Sequence, residues 1–180
     1  FHMAEQLPMI VTFLYRMCDG QHPLVRMIAM WTLSQYANWI AKQEAVYQDP
    51  FVRIVCESLS DDNELVRRAA ISALAIFEEV AGFDCIQYLS VLVPVLADAF
   101  VAYRGRNLTI CYDAISTLGE AVGEELAEDE FVERLMPPLM ARFERIPDDA
   151  PELVTSLETL GTLALCLKRQ LAPFAPLLVA

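Results

Sequence analysis

Glycine is scarce, with six residues in 180, and none stands in a G-x-x-x-x-G-K-[ST] phosphate cradle. Histidine is scarcer still. His2 and His22 lie near the start with no nucleophile or ligand spacing around them, and His22, just before Pro23, reads as a helix N-terminus or surface residue. The patterns H-E-x-x-H and G-x-S-x-G are absent, and no loop carries calcium-ligand spacing. No enzyme activity, cofactor or metal site is therefore expected. Basic charge is also short: 13 Lys and Arg face 25 Asp and Glu, a net charge of −12. Such a chain repels phosphate, which argues against direct nucleic-acid binding. It suits a basic peptide or protein, although the same charge also keeps an apolar chain soluble. Cys18, Cys56, Cys85, Cys111 and Cys166 never form a C-x-x-C pair and read as reduced core residues of an intracellular protein. The most apolar run, 89–103, is broken by Pro94 and Asp98 and is too short to span a bilayer. Residues 1–17 lack a basic n-region and a small-residue cleavage site. Neither secretion nor a membrane partner is expected.

Apolar residues are plentiful, at 56% against a usual ~45–50%, so disorder is excluded. They recur at helical spacing. In 24–40, Val25, Ala29, Leu33 and Ala37 read as a buried stripe. Ile28, Trp31, Gln35 and Asn38 fall on another face, where a large aromatic and an aliphatic residue sit beside two amides. The spacing predicts helices over 5–17, with Pro8 in the opening turn, over 23–42, over 51–59 starting at Pro50, and over 64–81. Further helices are predicted over 83–103, 108–122, 128–145 and 151–167. Asp61, Asp62 and Asn63 are N-cap candidates, Gly123 a left-handed C-cap, and Pro137-Pro138 the site of a kink. A further pair is predicted to begin at Leu171. No stretch alternates as strands do.

The helices repeat. Leu33, Leu74, Leu118 and Leu160 occupy one equivalent position in WTLSQYA, SALAIFE, STLGEAV and ETLGTLA, a period in the ~40–47 range of HEAT and armadillo hairpins. Asp61 precedes Val66-Arg67, and Asp19 precedes Val25-Arg26. In HEAT repeats such aspartate and arginine side chains form a ladder between neighbouring turns, and the third and fourth repeats lack them. The expected fold is an all-α solenoid of about four HEAT hairpins plus partial ends, at 1–42, 43–82, 83–123, 124–168 and 169–180. It forms a single segment whose ends cut through a longer array, since complete arrays close with polar repeats. Acid clusters at 61–62, 78–79 and 124–130 read mostly as solvated faces.

Shifting Ile28, Trp31 and Gln35 by the repeat offsets leads to Ala69, Ser72 and Ile76, then to Asp113, Ser116 and Glu120. If the second helix of each hairpin lines the concave side, that surface begins apolar at Ile28 and Trp31. It turns small at Ala69 and Ser72, and acidic at Glu79, Asp113 and Glu120 with Thr117 between. Asp113, Thr117 and Glu120 project together at i, i+4 and i+7. The gradient suits an extended peptide with an apolar or proline anchor at one end and arginines at the other. A lone helix tryptophan belongs more often to a core, and a lone helix carboxylate is usually just solvated; the shared register is what argues for a site.

The blocks WTLSQYANW (31–39), AIFEEVA (75–81), CYDAISTLGEAVG (111–123) and LMPPL (135–139) resemble, in order and spacing, the transportin or karyopherin-β2 family of importins. The resemblance covers nearly the whole chain and implies a central-to-C-terminal HEAT segment of a nuclear import receptor that shuttles between cytoplasm and nucleus. It implies recognition of proline-tyrosine nuclear localisation signals, which are disordered basic or hydrophobic segments of cargo proteins (often RNA-binding proteins) ending in an arginine and a Pro-Tyr pair. Peptide contacts carry over to Ile28, Trp31, Glu79, Asp113 and Thr117, and to Glu120, where the family has aspartate. Gln35, also placed on this surface, stands where the family often has arginine, and Ile76 where it often has threonine. Ran-GTP and nucleoporins would act through the full-length chain. The alternative is a HEAT scaffold that holds folded partners by its turns or convex side.

Overall fold

In the computed structural model, residues 3–174 are described. Among them there is no strand, and the all-α helical-hairpin class expected from the repeat is the one observed. The chain divides into two compact units, Phe1–Ala81 and Gly82–Ala180.

The first unit contains α1 (Met3–Cys18), α2 (Pro23–Gln35), α3 (Ala37–Ala41), α4 (Ala45–Ser58) and α5 (Glu64–Ala81). Helix α2 packs on α1 and most extensively on α5, and α4 packs on α1 and α5. Like helices of successive hairpins therefore lie side by side. Met30, Leu33, Ile40, Phe51, Ile71, Leu74 and Phe77 are fully buried, and the Phe51 and Phe77 rings meet at 4.9 Å. The Tyr15 hydroxyl donates to the Tyr47 carbonyl at 2.6 Å, tying α1 to α4.

Turns in this unit are built by arginine. Arg26 donates to the carbonyls of Gly20 and Gln21 behind it and, through both Nε and Nη2, to the Asp61 carboxylate of the next turn at 2.7 and 2.9 Å. Arg67 repeats the backward contacts, to the carbonyls of Asp61 and Asp62. This is the aspartate–arginine rung expected from the turn signature. The forked bond from Arg26 holds the Asp61 carboxyl below its usual range. The cap side chains are also in place: His22 Nδ1 accepts from the Leu24 N–H, and Asn63 Oδ1 from the Leu65 N–H at 2.9 Å.

Several expectations are corrected. Helix 23–42 is broken at Tyr36 (φ −101°, ψ 4°). The Ser34 hydroxyl donates to the Trp31 carbonyl just before the break, a side-chain bond that competes with the helical ladder and bends helices. Val25 is 43% exposed and leaves the predicted stripe, while Ala29, Leu33 and Ala37 are buried. At 3.6 residues per turn an i+4 row winds ~40° per step, so four such positions spread over ~120°. Pro50 does not start a helix. It is the sixth residue of α4, and Pro8 and Pro94 hold the same place in α1 and α6. The lost N–H and the ring both bear on the second residue of the helix, where little ladder is disturbed. The Gln48 amide anchors the entry to α4 by donating to the carbonyls of Ala41 and Gln43. Glu78, placed by sequence in an acid cluster, is fully buried, whereas Glu79 is exposed.

The second unit contains a 3-10 segment (Gly82–Tyr88), α6 (Leu89–Ala102), α7 (Gly105–Val122), a second 3-10 segment (Gly123–Ala127), α8 (Asp129–Phe143), α9 (Pro151–Leu167) and a third 3-10 segment (Lys168–Phe174). Helix α6 packs on α8 and α7 on α9. Leu92, Leu96, Phe100, Tyr112, Ile115, Leu118 and Leu163 form the core, with the Phe100 and Tyr112 rings edge to face at 4.9 Å. The predicted 83–103 helix is thus a 3-10 turn followed by a shorter α-helix, and α7 begins at Gly105, three residues before the predicted start at 108. Gly123 ends α7 at φ 59° as expected, but its ψ of −128° differs from that of a left-handed helical cap. The stretch Glu64–Ala102 is apolar enough by composition to cross a membrane, yet it is divided between α5 and α6 by the turn at Gly82–Tyr88, and half of its most apolar window is buried in protein. The helix pair predicted from Leu171 is a 3-10 segment as far as Phe174, and the remainder lies outside the described residues.

Candidate functional site

In the first unit, Ile28 and Trp31 lie one turn apart on α2 and are 55% and 61% exposed. Trp31 is therefore not a core residue. With Met27 they form one wall of an open groove of about 430 Å³, and Leu65, Arg68, Ala69 and Ser72 of α5 form the other. The small side chains of Ala69 and Ser72 leave the indole face open, and the Arg68 guanidinium is held at the rim by Glu64 at 2.6 Å. A flat aromatic beside aliphatic carbon, with little polar surface to satisfy, suits a proline ring or an apolar side chain. Gln35 is exposed one turn further on and donates to the Ser34 hydroxyl at 3.2 Å. Neither Gln35 nor exposed Glu79 lines the groove, and Ile76 is half-buried.

In the second unit, Asp113 and Glu120 of α7 share a groove of about 380 Å³ with Thr109, Ile110 and Ser116 and, across from them, Thr155, Glu158, Thr159 and Thr162 of α9. Its floor is tied by a hydroxyl contact, Ser116 Oγ to Thr159 Oγ1 at 3.0 Å. Asp113, Glu120 and Glu158 are exposed at its edges, and no basic side chain lines it. Carboxylates placed this way accept forked hydrogen bonds from guanidinium groups. Thr117 is not among the lining residues, and its hydroxyl is turned to the Asp113 carbonyl at 2.9 Å. Sequence reasoning missed Glu158, Thr155 and Thr162. The signal was present: the 42-residue step from Leu118 to Leu160 also carries Ser116 to Glu158, Asp113 to Thr155 and Glu120 to Thr162.

The cysteines offer no nucleophile. Four are buried and one is half-buried. Burial, assisted by the neighbouring Glu78 charge, pushes the Cys56 thiol up to about 12, far from a reactive thiolate. Among the described residues no group of three or more His, Cys, Asp or Glu side chains is placed to hold a metal ion.

The paired helices, the arginine-built turns and the grooves between second helices define a HEAT-repeat protein, and the HEAT repeat family model matches residues 51–81. Over 96% of its length the chain is 36% identical to importin subunit beta-2 of Schizosaccharomyces pombe and 35% identical to transportin-1 of Homo sapiens. Over 88% of its length it is 38% identical to transportin of Dictyostelium discoideum. These matches cover 20%, 19% and 17% of those proteins, so the chain spans about a fifth of the length of the relatives it matches. The chain is a HEAT-repeat homologue of the transportin, or importin subunit beta-2, family.

Proposed function

We propose that this chain is the cargo-binding part of a nuclear import receptor and takes up basic proline-tyrosine localisation signals. The supporting observation is the exposed indole of Trp31 in a groove whose opposite wall includes Ala69 and Ser72, together with a separate groove edged by three carboxylates. Trp31 and Ile28 hold the apolar, proline-containing end of the peptide. Asp113, Glu120 and Glu158 take its arginines, each charge-assisted bond contributing ~1.5–3 kcal/mol where water is partly excluded. Gln35, Glu79 and Thr117, which line neither groove, tune the peptide's binding rather than anchor it. In the longer protein, Ran-GTP and nucleoporins act elsewhere, and the receptor shuttles between cytoplasm and nucleus. Binding, not catalysis, is its role.

A fluorescently labelled basic Pro-Tyr peptide titrated into the chain tests the reading. Trp31→Ala is expected to raise Kd at least tenfold, ~1.4 kcal/mol, and rising salt to weaken binding as the carboxylates are screened. An unchanged Kd removes Trp31 from the site, and a flat salt response removes the carboxylates. The second reading, a scaffold for folded partners, draws on Met9 and Phe13, which are largely exposed on α1. Partner crosslinks at 19–23 and 61–63, rather than around Trp31 and Glu120, would favour it.

A further inference from the structure

The second unit carries a groove of opposite character. It has a volume of about 420 Å³ and lies between the C-terminal ends of α6 and α8, with Arg104, Arg142 and Arg145 around an apolar surface that includes Val101, Ile146 and Pro147. Glu152 is the only acidic residue lining it, so the groove is locally positive on a chain of net charge −12. Two of the arginines are fixed. Arg104 donates through Nη1 to the carbonyls of Val101 and Tyr103 at 2.7 and 2.6 Å, which caps α6. Arg142 is forked onto Glu152. These contacts explain why Arg104 and Arg142 are there, but not Arg145. Its exposed side chain makes no hydrogen bond or ion pair among the described residues. The Nε and Nη2 of Arg104 donate no hydrogen bond among the described residues, although its charge also acts on Glu152. Asp148 and Asp149 follow in the α8–α9 turn but do not line the groove.

We propose that this groove binds an acidic peptide segment of a partner protein, with an aliphatic or aromatic side chain against Val101, Ile146 and Pro147 and flanking carboxylates on Arg104 and Arg145. Charge complementarity selects the occupant. The chain's overall charge repels anions, so an acidic segment is held only where guanidinium groups are concentrated, and pre-fixed Arg104 loses little freedom on binding. The site is independent of the basic-peptide surfaces.

The test uses a labelled Asp-Glu-Phe-Glu-Asp peptide and the whole chain, read by fluorescence anisotropy. Binding is expected, weakened at least ~tenfold by R145E and less than ~twofold by R106E, an exposed arginine outside the groove. Circular dichroism checks that both variants fold. Excess basic Pro-Tyr peptide is expected not to displace the probe, and loss of basic-peptide binding leaves this result standing. The proposal is overturned by no binding up to ~1 mM probe, by equal effects of R145E and R106E, or by displacement with inorganic phosphate or a phosphoserine peptide at far lower concentration than with unlabelled acidic peptide.

Discussion

The two units meet one mechanical need with different chemistry. In the first, the start of one second helix is tied to the next by Arg26 on Asp61, and each arginine also stitches its own turn by donating to backbone carbonyls. In the second, the positions equivalent to Asp61 and Arg67 hold Gly105, at φ 53°, and Cys111, which is buried. The tie there is made one residue on. The Tyr112 hydroxyl donates to Glu152 in the first turn of α9 at 3.1 Å, and Arg142 of α8 grips the same carboxylate. In both units a carboxylate at the head of a second helix accepts from the preceding one and is held below its usual pKa by a guanidinium. The lesson is that the tie is set by geometry, while the residues that make it can change.

The strongest test of this equivalence starts from the cores that both ties protect. Phe77→Ala in the first unit removes a fully buried ring packed on Phe51 and is expected to cost ~3–5 kcal/mol. Leu118→Ala in the second is expected to cost ~2–5 kcal/mol. Urea titration followed by circular dichroism measures both, and a loss under ~1 kcal/mol at either would show a core looser than this packing implies.

Next come the ties. Glu152→Gln, which loosens the grip of Arg142 and Tyr112 together, is expected to cost about 1–2 kcal/mol at neutral pH. Asp61→Asn is expected to destabilise in the same direction. Both carboxylates have folded-state pKa values below their unfolded ones. Their contribution is therefore present above the unfolded value of ~4 and is lost as pH falls through the folded value. Thermal melts of wild type and variants should differ at pH 7 and converge at strongly acidic pH. A difference that persists at the lowest pH at which the chain stays folded would mean the variants act by packing, not charge.

Tyr112→Phe sharpens the comparison because it keeps the ring against Phe100 and removes the hydroxyl, which donates to Glu152 and also lies beside Ser156 and Arg142. A loss of ~0.5–1.5 kcal/mol is expected in the same urea titration. No measurable loss would leave Arg142 alone as the partner of Glu152, and the parallel with Arg26 and Asp61 would fail.

What the sequence revealed follows from where the signals were local. Helices α5 and α9 begin and end as predicted, at Glu64–Ala81 and Pro151–Leu167, because a cap residue or a proline marks each start. The Arg26–Asp61 rung was legible because its signature lies within one turn. Its counterpart in the second unit joins three helices through Tyr112, Arg142 and Glu152, and no local pattern announces it. Pro50 misled because a proline reads as a start, although Pro8 and Pro94 recur in step with it. Of the candidate site residues, Ile28 and Trp31 could be placed on an exposed helix face from helical periodicity alone. Glu158 needed one more repeat step. The turn of the Thr117 hydroxyl to the backbone is a rotamer choice that spacing does not encode.

The smallest effect separates a tie from mere proximity. Arg134 and Asp98 also form an ion pair across α8 and α6 of the second unit, but both side chains are well exposed. Water already solvates the two charges there, and ordering both side chains offsets most of the Coulomb gain, so Asp98→Asn is expected to change stability by no more than about 0.5 kcal/mol. The Glu152 pair joins the same unit's helices with side chains about 30% exposed and an extra hydroxyl donor. If Asp98→Asn proved as damaging as Glu152→Gln in one titration, burial and the Tyr112 bond would not be what distinguishes the tie, and any ion pair between neighbouring helices would serve equally well.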